Sequence, residues 1–106
     1  MKENKFQREL IKELKSRFKG CVVLKNDPSY IQGIPDLLIL HNDKWAALEC
    51  KRNKKASHQP NQDYYVKKLG KMAYANFITP ENKEVVLNEI QRLFVPTRST
   101  CISKRK

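Results

Sequence analysis

Apolar residues recur at helical spacing in the first segment of the chain, from Glu3 to Phe18. Lysine and arginine occupy many of the positions between them, and Gly20 follows as a stop signal. This pattern predicts an amphipathic helix. Its apolar positions are Phe6, Leu10, Ile11, Leu14 and Phe18.

Three short apolar runs follow, and each has the length of a strand. The first, at residues 21–24, contains two valines and ends before an Asn-Asp-Pro sequence that favours a turn. The other two, residues 37–40 and 45–48, flank a His-Asn-Asp-Lys sequence typical of a hairpin turn. Because both runs are apolar at successive positions, we expect a hairpin at the centre of a sheet, covered on both faces.

The second half of the chain predicts a helix, a strand and another helix. Pro60 is suited to open a helix through Met72, and residues 75–78 resemble a strand. Thr79-Pro80-Glu81 predicts the start of the last helix, with a capping hydroxyl, a proline and an acid in the first turn. The fold class is therefore α/β, one mixed sheet flanked by helices in the order α-β-β-β-α-β-α.

The length of 106 residues allows one domain, which we place at residues 1–95. Residues 96–106 have the composition of a basic tail that we expect to be flexible. Lys plus Arg total 22 against 11 for Asp plus Glu, so the net charge is +11. This excess favours a polyanionic partner. The chain has neither a long apolar run nor a signal-peptide pattern, so we expect nucleic acid and no membrane.

The cysteine and histidine content argues against disulfides and structural zinc. The three cysteines are odd in number and widely spaced, and the two histidines have no ligand-like companion. We therefore expect a cytoplasmic protein, and a bound metal would have to be held by oxygen.

The hairpin brings three chemically active residues together. If its turn is symmetric about Asn42-Asp43, residues whose numbers sum to 85 face each other, so Asp36 lies opposite Glu49. Side chains alternate between faces, so Lys51 projects from the same side. Two adjacent carboxylates repel unless a cation lies between them. Mg²⁺ is the natural candidate because it prefers oxygen ligands, and it could activate water against a phosphodiester.

The alternative is that these three residues are ordinary exposed strand and loop positions that never meet. Against it stands the combination of Gly33-Ile34-Pro35-Asp36, a strand-length interval, Glu49-Cys50-Lys51 and a basic loop. These motifs resemble the PD-(D/E)xK nuclease superfamily. With Pro60-Asn61-Gln62 opening a helix, the chain is similar in particular to the virus-type replication-repair nuclease (VRR-NUC) family in its stand-alone phage form.

The resemblance implies a restriction-endonuclease-like core and a Mg²⁺-dependent endodeoxyribonuclease, with Mn²⁺ as a substitute metal and no small-molecule cofactor. It implies Asp36, Glu49 and the backbone carbonyl of Cys50 as metal ligands. Lys51 would be the catalytic lysine, and Gln62 would point into the site. The expected substrate is duplex or branched DNA during phage replication or recombination, in the host cytoplasm.

The resemblance also implies an acid on the first helix. At about 100° per residue, Glu3 falls in the middle of the apolar face and Glu9 falls well outside it. Glu3 is therefore the first choice as a further metal ligand, and Glu9 is the second. Gln7 also lies on that face and could occupy the position, which leaves the number of metals open.

Several cations lie near the predicted site. Arg52, Lys54 and Lys55 suit a rim that contacts phosphates, and their position beside the carboxylates favours this over the alternative of a solvated loop. Lys25 and His58 are further candidates for DNA contact. The tyrosines at 64, 65 and 74 could stack on bases, but their spacing favours core packing.

We expect a homodimer, because one small domain presents little surface to a duplex and a two-fold pair could address two strands. Two other functions compete with the nuclease. One is an accessory protein that binds nucleic acid without cutting it, and the other is a basic structural protein of the ribosomal type. Neither requires clustered carboxylates facing a polyanion.

Overall fold

The computed structural model describes residues 2–95, so the predicted tail at 96–106 lies outside the described residues. Four strands form one mixed sheet in the order β1-β2-β3-β4. The first three are antiparallel neighbours, and β4 runs parallel to β3. The elements are α1 (Glu3–Arg17), β1 (Val22–Lys25), β2 (Leu37–His41), β3 (Lys44–Cys50), α2 (Pro60–Met72), β4 (Tyr74–Ile78) and α3 (Lys83–Phe94). The predicted order α-β-β-β-α-β-α is confirmed.

The hairpin between β2 and β3 has the predicted register. Its paired residues run from Leu37 with Leu48 to His41 with Lys44, and every pair sums to 85. Asn42, the first turn residue, has φ 57°, a left-handed conformation that asparagine tolerates better than most residues. This register places Asp36 and Glu49 just beyond the last ladder pair, at the open end of the hairpin.

Alternation along the strands gives the sheet an inner and an outer face. On the inner face, Leu37, Ile39, Ala46 and Leu48 are fully buried. They belong to a core that includes the apolar sides of α1 and α3. Burial of these side chains is the main force that holds the two helices to the sheet.

The outer face is only partly covered. The helix α2 packs on this side against β4 and β3, and it leaves much of β1 and β2 open. Leu40 of β2 remains 37% exposed and Val22 of β1 remains 50% exposed. The expectation that the hairpin is covered on both faces therefore holds at its open end and is wrong near its turn.

The predicted start of the last helix is wrong by about one turn, because α3 begins at Lys83. Thr79 and Asn82 exchange two hydrogen bonds: the Thr79 N–H donates to Asn82 Oδ1, and the Asn82 N–H donates to Thr79 Oγ1. The Asn82 amide also donates to the Phe77 carbonyl at the end of β4. This reciprocal pair closes a turn over residues 79–82, so the helix follows the turn.

The first strand begins one residue later than predicted, at Val22. The backbone N–H of Cys21 donates to the Phe18 carbonyl at 3.0 Å, so Cys21 still belongs to the turn that follows α1. Within residues 2–95, no helix has the length and apolar character needed to cross a membrane.

Candidate active site

Asp36 is fixed at the entrance to β2 by the chain on both of its sides. Its own carbonyl accepts a hydrogen bond from the backbone N–H of Asn26 at 2.8 Å. The Asn26 side chain donates to the carbonyl of Pro35, which is itself buried. The Asp36 carboxylate then accepts the backbone N–H of Cys50 at 2.9 Å. The acid is therefore directed toward the end of β3.

Glu49, Lys51 and Gln62 form one hydrogen-bonded group. Lys51 Nζ donates to Gln62 Oε1 at 2.8 Å, and Gln62 Nε2 donates to Glu49 Oε2 at 3.0 Å. Lys51 Nζ also lies 3.9 Å from Glu49 Oε2. Glu49 is only 3% exposed and Lys51 only 7%, which is uncommon for charged residues. Gln62 thus holds the Glu49 carboxylate and the Lys51 ammonium together.

The first turn of α2 places Gln62. Gln59 and Gln62 form a reciprocal capping box, in which the backbone N–H of Gln59 donates to Gln62 Oε1 at 3.1 Å. Pro60 occupies the first turn, where its missing N–H costs nothing. The same Gln62 oxygen therefore accepts from both the helix cap and Lys51, which fixes its orientation in the site.

Gly33 allows the loop before Asp36 to approach α2. It has φ +91°, and a Cβ added there would overlap both the side chain and the backbone of Asn61. No side chain fits at this position without displacing the loop or the helix. The loop carrying Pro35-Asp36 and the helix carrying Gln62 are therefore in direct contact.

The two carboxyl groups perturb each other. Burial, together with the nearby Asp36 charge, raises the pKa of Glu49 to about 8, against a lowering contribution from Lys51. The pKa of Asp36 is also raised, again mainly by burial. Without a bound cation, this site therefore favours one retained proton at neutral pH.

The donor set at this site fits a hard divalent cation. Glu49 supplies a buried carboxylate and Asp36 a half-buried one, and their mutual repulsion would be relieved by a cation between them. Among residues 2–95, no three His, Cys, Asp or Glu side chains are grouped as a ready-made metal site. A bound ion would therefore also need backbone, water or phosphate oxygen, as is usual for Mg²⁺.

Of the two acids considered on α1, Glu3 is the one that acts on this site. Its charge contributes to raising the pKa of Glu49, although less than burial and Asp36 do. Glu9 acts instead on Lys83 of α3. Burial raises the pKa of the Cys50 thiol, and the side chain of Gln7, one turn after Glu3 on α1, acts in the opposite direction.

The predicted DNA-contacting cations lie at the end of β1 and on the loop after β3. Lys25 ends β1 and pairs with Leu37, the residue that follows Asp36, and its side chain is exposed. Arg52, Lys54 and Lys55 are exposed on the loop after β3.

His58, which the sequence predicts as a loop residue, makes two specific side-chain contacts. Its ring stacks on Phe77 of β4, with 3.9 Å between centroids, and its Nδ1 lies 3.1 Å from Asp63 Oδ1. Phe77 is the β4 partner of Glu49, so His58 is placed over the strand next to the carboxylates. Neither Asp63 nor Phe77 was singled out from the sequence, because their roles depend on the packing of α2 on β4.

Comparison with known proteins supports the fold. No protein-family profile matches the sequence, and no curated protein matches it. Among solved structures, a VRR_NUC domain protein superposes with a TM-score of 0.67 at 20% identity, covering 88% of each chain. Hjc, a Holliday junction resolvase from Archaeoglobus fulgidus, gives a TM-score of 0.49 at 17% identity, covering 72% of this chain and 67% of the other.

The first of these similarities agrees with the likeness recognised from the Gly33–Asp36 and Glu49–Lys51 motifs. Within the described residues, three helices and a four-stranded mixed sheet in this order form a restriction-endonuclease-like α/β fold. The chain shares this fold with the VRR_NUC domain protein.

Proposed function

We propose that this protein is a metal-dependent endonuclease that hydrolyses phosphodiester bonds of DNA, with branched or junction DNA as the preferred substrate. The observation that carries the proposal is the group of Asp36, Glu49, Lys51 and Gln62, in which Glu49 and Lys51 are buried while Asp36 and Gln62 are half-buried. A protein that only binds DNA gains nothing from placing two acids that repel phosphate together in a partly buried site. The VRR_NUC-type fold supports the same function.

Asp36 and Glu49 would hold Mg²⁺, for which Mn²⁺ could substitute. The carbonyl of Cys50 and the carboxylate of Glu3 are further candidate ligands. When bound, the ion would polarise the scissile phosphate and lower the pKa of a water ligand. The carboxylates would define where the phosphate docks, because they fix the position of the cation.

Lys51 would act on the scissile phosphate. Its buried ammonium, held by Gln62, would stabilise the negative charge that develops as water adds to phosphorus and the P–O ester bond breaks. Little water surrounds a group that is 7% exposed, so its interaction with the transition state is weakly screened. Gln62 is a positioning residue, because it orients both Lys51 and Glu49.

The exposed cations near the site would bind the DNA backbone on either side of the scissile phosphate. Arg52, Lys54 and Lys55 follow β3, and Lys25 ends β1. His58 would contact a phosphate with the ring that Phe77 and Asp63 hold in place. These contacts would set the register of the DNA without reading its sequence.

We further propose a homodimer that acts on two DNA strands in the cytoplasm, within phage replication or recombination. The net charge of +11 would speed the encounter with DNA, and it makes binding sensitive to salt.

The test is cleavage of labelled linear, flapped and four-way-junction DNA, and of matched RNA, by the full chain. Each substrate is incubated with Mg²⁺, with Mn²⁺ and with chelator. We expect cutting with either metal, none with chelator, and the fastest cutting on a branched DNA. Tight binding without cutting under every condition would contradict the proposal and favour an accessory binding protein.

A further inference from the structure

The helix α2 presents to solvent one face that the proposed chemistry does not use. At about 100° per residue, this face lies opposite the half-buried Val66 and Leu69, which belong to the side of α2 that packs on the sheet. All four residues of the face are exposed. These residues, which we call the solvent face of α2, are Tyr64, Lys67, Lys68 and Lys71.

Tyr64 is an exposed aromatic ring that its neighbours hold in place. It is 55% exposed, so the core packing that its spacing in the sequence favoured is wrong for this residue. Tyr65 packs edge-on against it, with 5.0 Å between ring centroids. Lys68 Nζ donates to the Tyr64 hydroxyl at 3.4 Å and lies 5.6 Å from the centre of the ring. An exposed ring that is already oriented loses little freedom when a nucleobase stacks on it.

The three lysines of this face are placed to bind a polyanion. Within the part of the chain that the structure describes, none of them forms a salt bridge with an acid. Lys67 and Lys71 lie four residues apart, and Lys68 and Lys71 three, which are spacings at which like charges destabilise a helix. Bound phosphates would neutralise these charges. From Tyr64 to Lys71 the face runs about 10 Å along the helix axis, which is the length of about three nucleotides.

An aromatic ring among cations favours a nucleic acid with unpaired bases. Bases in a duplex stack on one another and present only their edges, so Tyr64 can stack only on a base of a single strand. A membrane also carries phosphates, but it binds a helix by burying the apolar side of that helix. The apolar side of α2 is packed against the sheet, where Leu69 shares a groove with Leu38 and Ala47.

We propose that the solvent face of α2 binds an unpaired strand of the DNA substrate, with a base stacked on Tyr64 and the lysines against its phosphates. The proposal rests on the proposed function, because the same helix carries Gln62, about 3 Å before Tyr64 along the axis. Gln62 contacts Lys51 and Glu49 on the other side of the helix. A strand that leaves the site over the first turn of α2 would therefore reach Tyr64 first and the lysines after it. The substrate class is branched DNA with a single-stranded arm, such as a flap.

The test measures binding of a fluorescent single-stranded DNA, and of the same sequence as a duplex, to the full chain in chelator. Tyr64→Ala should weaken single-strand binding about tenfold and leave duplex binding unchanged, because only an unpaired base can stack on the ring. Tyr64→Phe should bind the single strand as wild type does, since a phenyl ring keeps the stacking surface. Tyr30→Ala is the matched control, because Tyr30 is 85% exposed on the loop after β1, and it should bind both DNAs as wild type does.

A second comparison concerns the lysines. Replacement of all three lysines of the solvent face by glutamine should make single-strand binding less dependent on salt. The same replacement of Lys12, Lys15 and Lys19, which are exposed on and after α1, changes the net charge equally and should have a smaller effect. Equal effects of the two triple variants would overturn the proposed role of the lysines.

Three results would overturn the stacking on Tyr64. The first is a single-strand affinity of Tyr64→Ala equal to that of Tyr30→Ala. The second is a Tyr64→Phe variant that binds no better than Tyr64→Ala. The third is a Tyr64→Ala variant that loses binding to phosphatidylserine vesicles and keeps its binding to single-stranded DNA.

The binding assay needs no cleavage, so failure of this proposal and failure of the proposed function are distinguishable. A chain that binds single strands through Tyr64 and cuts no DNA would overturn only the proposed function. A chain that cuts branched DNA, and whose Tyr64→Ala variant binds single strands as tightly as wild type, would overturn only the role of the solvent face of α2.

Discussion

The Asp36 carboxylate accepts a hydrogen bond from the backbone N–H of Cys50 at 2.9 Å, across 14 positions of sequence. This bond closes the open end of the hairpin just beyond the last ladder pair, Leu37 with Leu48. It fixes the distance between the two strand ends that carry the acids. The candidate chemistry therefore depends on the register of one hairpin, and the register depends on a two-residue turn.

Lys51→Ala should abolish cleavage while leaving most of the affinity for DNA. The ammonium of Lys51 is buried beside Glu49 and held by Gln62, so it can contribute little to long-range attraction of DNA. Single-turnover cleavage and binding in chelator measure the two effects separately. Equal loss of binding and cleavage would show that Lys51 is a binding residue.

Gln62→Ala should lower the cleavage rate about 10- to 100-fold with little change in DNA affinity, because it removes the group that orients Lys51 and Glu49. Gln32→Ala, at an exposed loop position, is the control and should cut at the wild-type rate. A Gln62→Ala rate equal to that of the control would show that the amide has no part in positioning.

Glu49→Gln should stabilise the metal-free protein at neutral and alkaline pH. The pKa of Glu49 rises from its ordinary 4.5 to about 8 on folding, so between these values the folded state keeps a proton that the unfolded state has lost. The contribution of Glu49 to the free energy of unfolding therefore falls as the pH rises from 4.5 to about 8. A glutamine at this position does not titrate, so the variant should not lose stability in this pH range.

Thermal unfolding in chelator, followed from about pH 5 to about pH 8.5, measures this difference. The gap in Tm between Glu49→Gln and wild type should widen with pH. Addition of Mg²⁺ should raise the Tm of wild type and leave that of the variant almost unchanged. A gap that is independent of pH would mean that Glu49 is already ionised in the folded protein.

Replacement of Arg52, Lys54 and Lys55 by glutamine should weaken DNA binding and make it less dependent on salt. The slope of log affinity against log salt should decrease by about 0.9 for each phosphate that the variant no longer neutralises. Replacement of Lys12, Lys15 and Lys19, which are exposed on and after α1, changes the net charge equally. If both triple variants show the same decrease in slope, the effect comes from net charge and not from the loop.

Gly33→Ala should destabilise the protein more than Gly20→Ala does. Both glycines have positive φ, so both substitutions cost backbone strain of about 1 kcal/mol. A Cβ at residue 20 meets open space, whereas one at residue 33 overlaps Asn61. Chemical denaturation measures the difference. Gly33→Ala should also slow cleavage, because it would displace α2, which carries Gln62. Equal free energies of unfolding for the two variants would contradict the close approach of the Gly33 loop to α2.

The sequence predicted the part of this fold that local rules control. The two-residue turn at Asn42-Asp43 fixed the pairing of Asp36 with Glu49, and the apolar positions of α1 fixed its buried face. The start of α3 was missed because Asn82 reaches back to Thr79 and to the end of β4. The open outer face was also missed, since an apolar run does not reveal whether a neighbouring element covers it.

The position of Gln62 illustrates the same limit within the candidate site. Nothing in the local sequence requires a glutamine on α2 to contact Lys51, and only the resemblance to a nuclease family indicated it. The contact forms because Gly33 admits α2 against the loop and Gln59 caps the helix. These relationships join three separate segments of the chain.

The central claim is that Asp36 and Glu49 form a metal-dependent centre that cuts DNA. Its most direct test is cleavage of junction DNA in Mg²⁺ by wild type and Asp36→Ala. As a control outside the hairpin we add Glu84→Ala, which removes an exposed acid from α3, and we predict that it cuts at the wild-type rate whereas Asp36→Ala does not cut. Cleavage by Asp36→Ala at the wild-type rate would contradict the account.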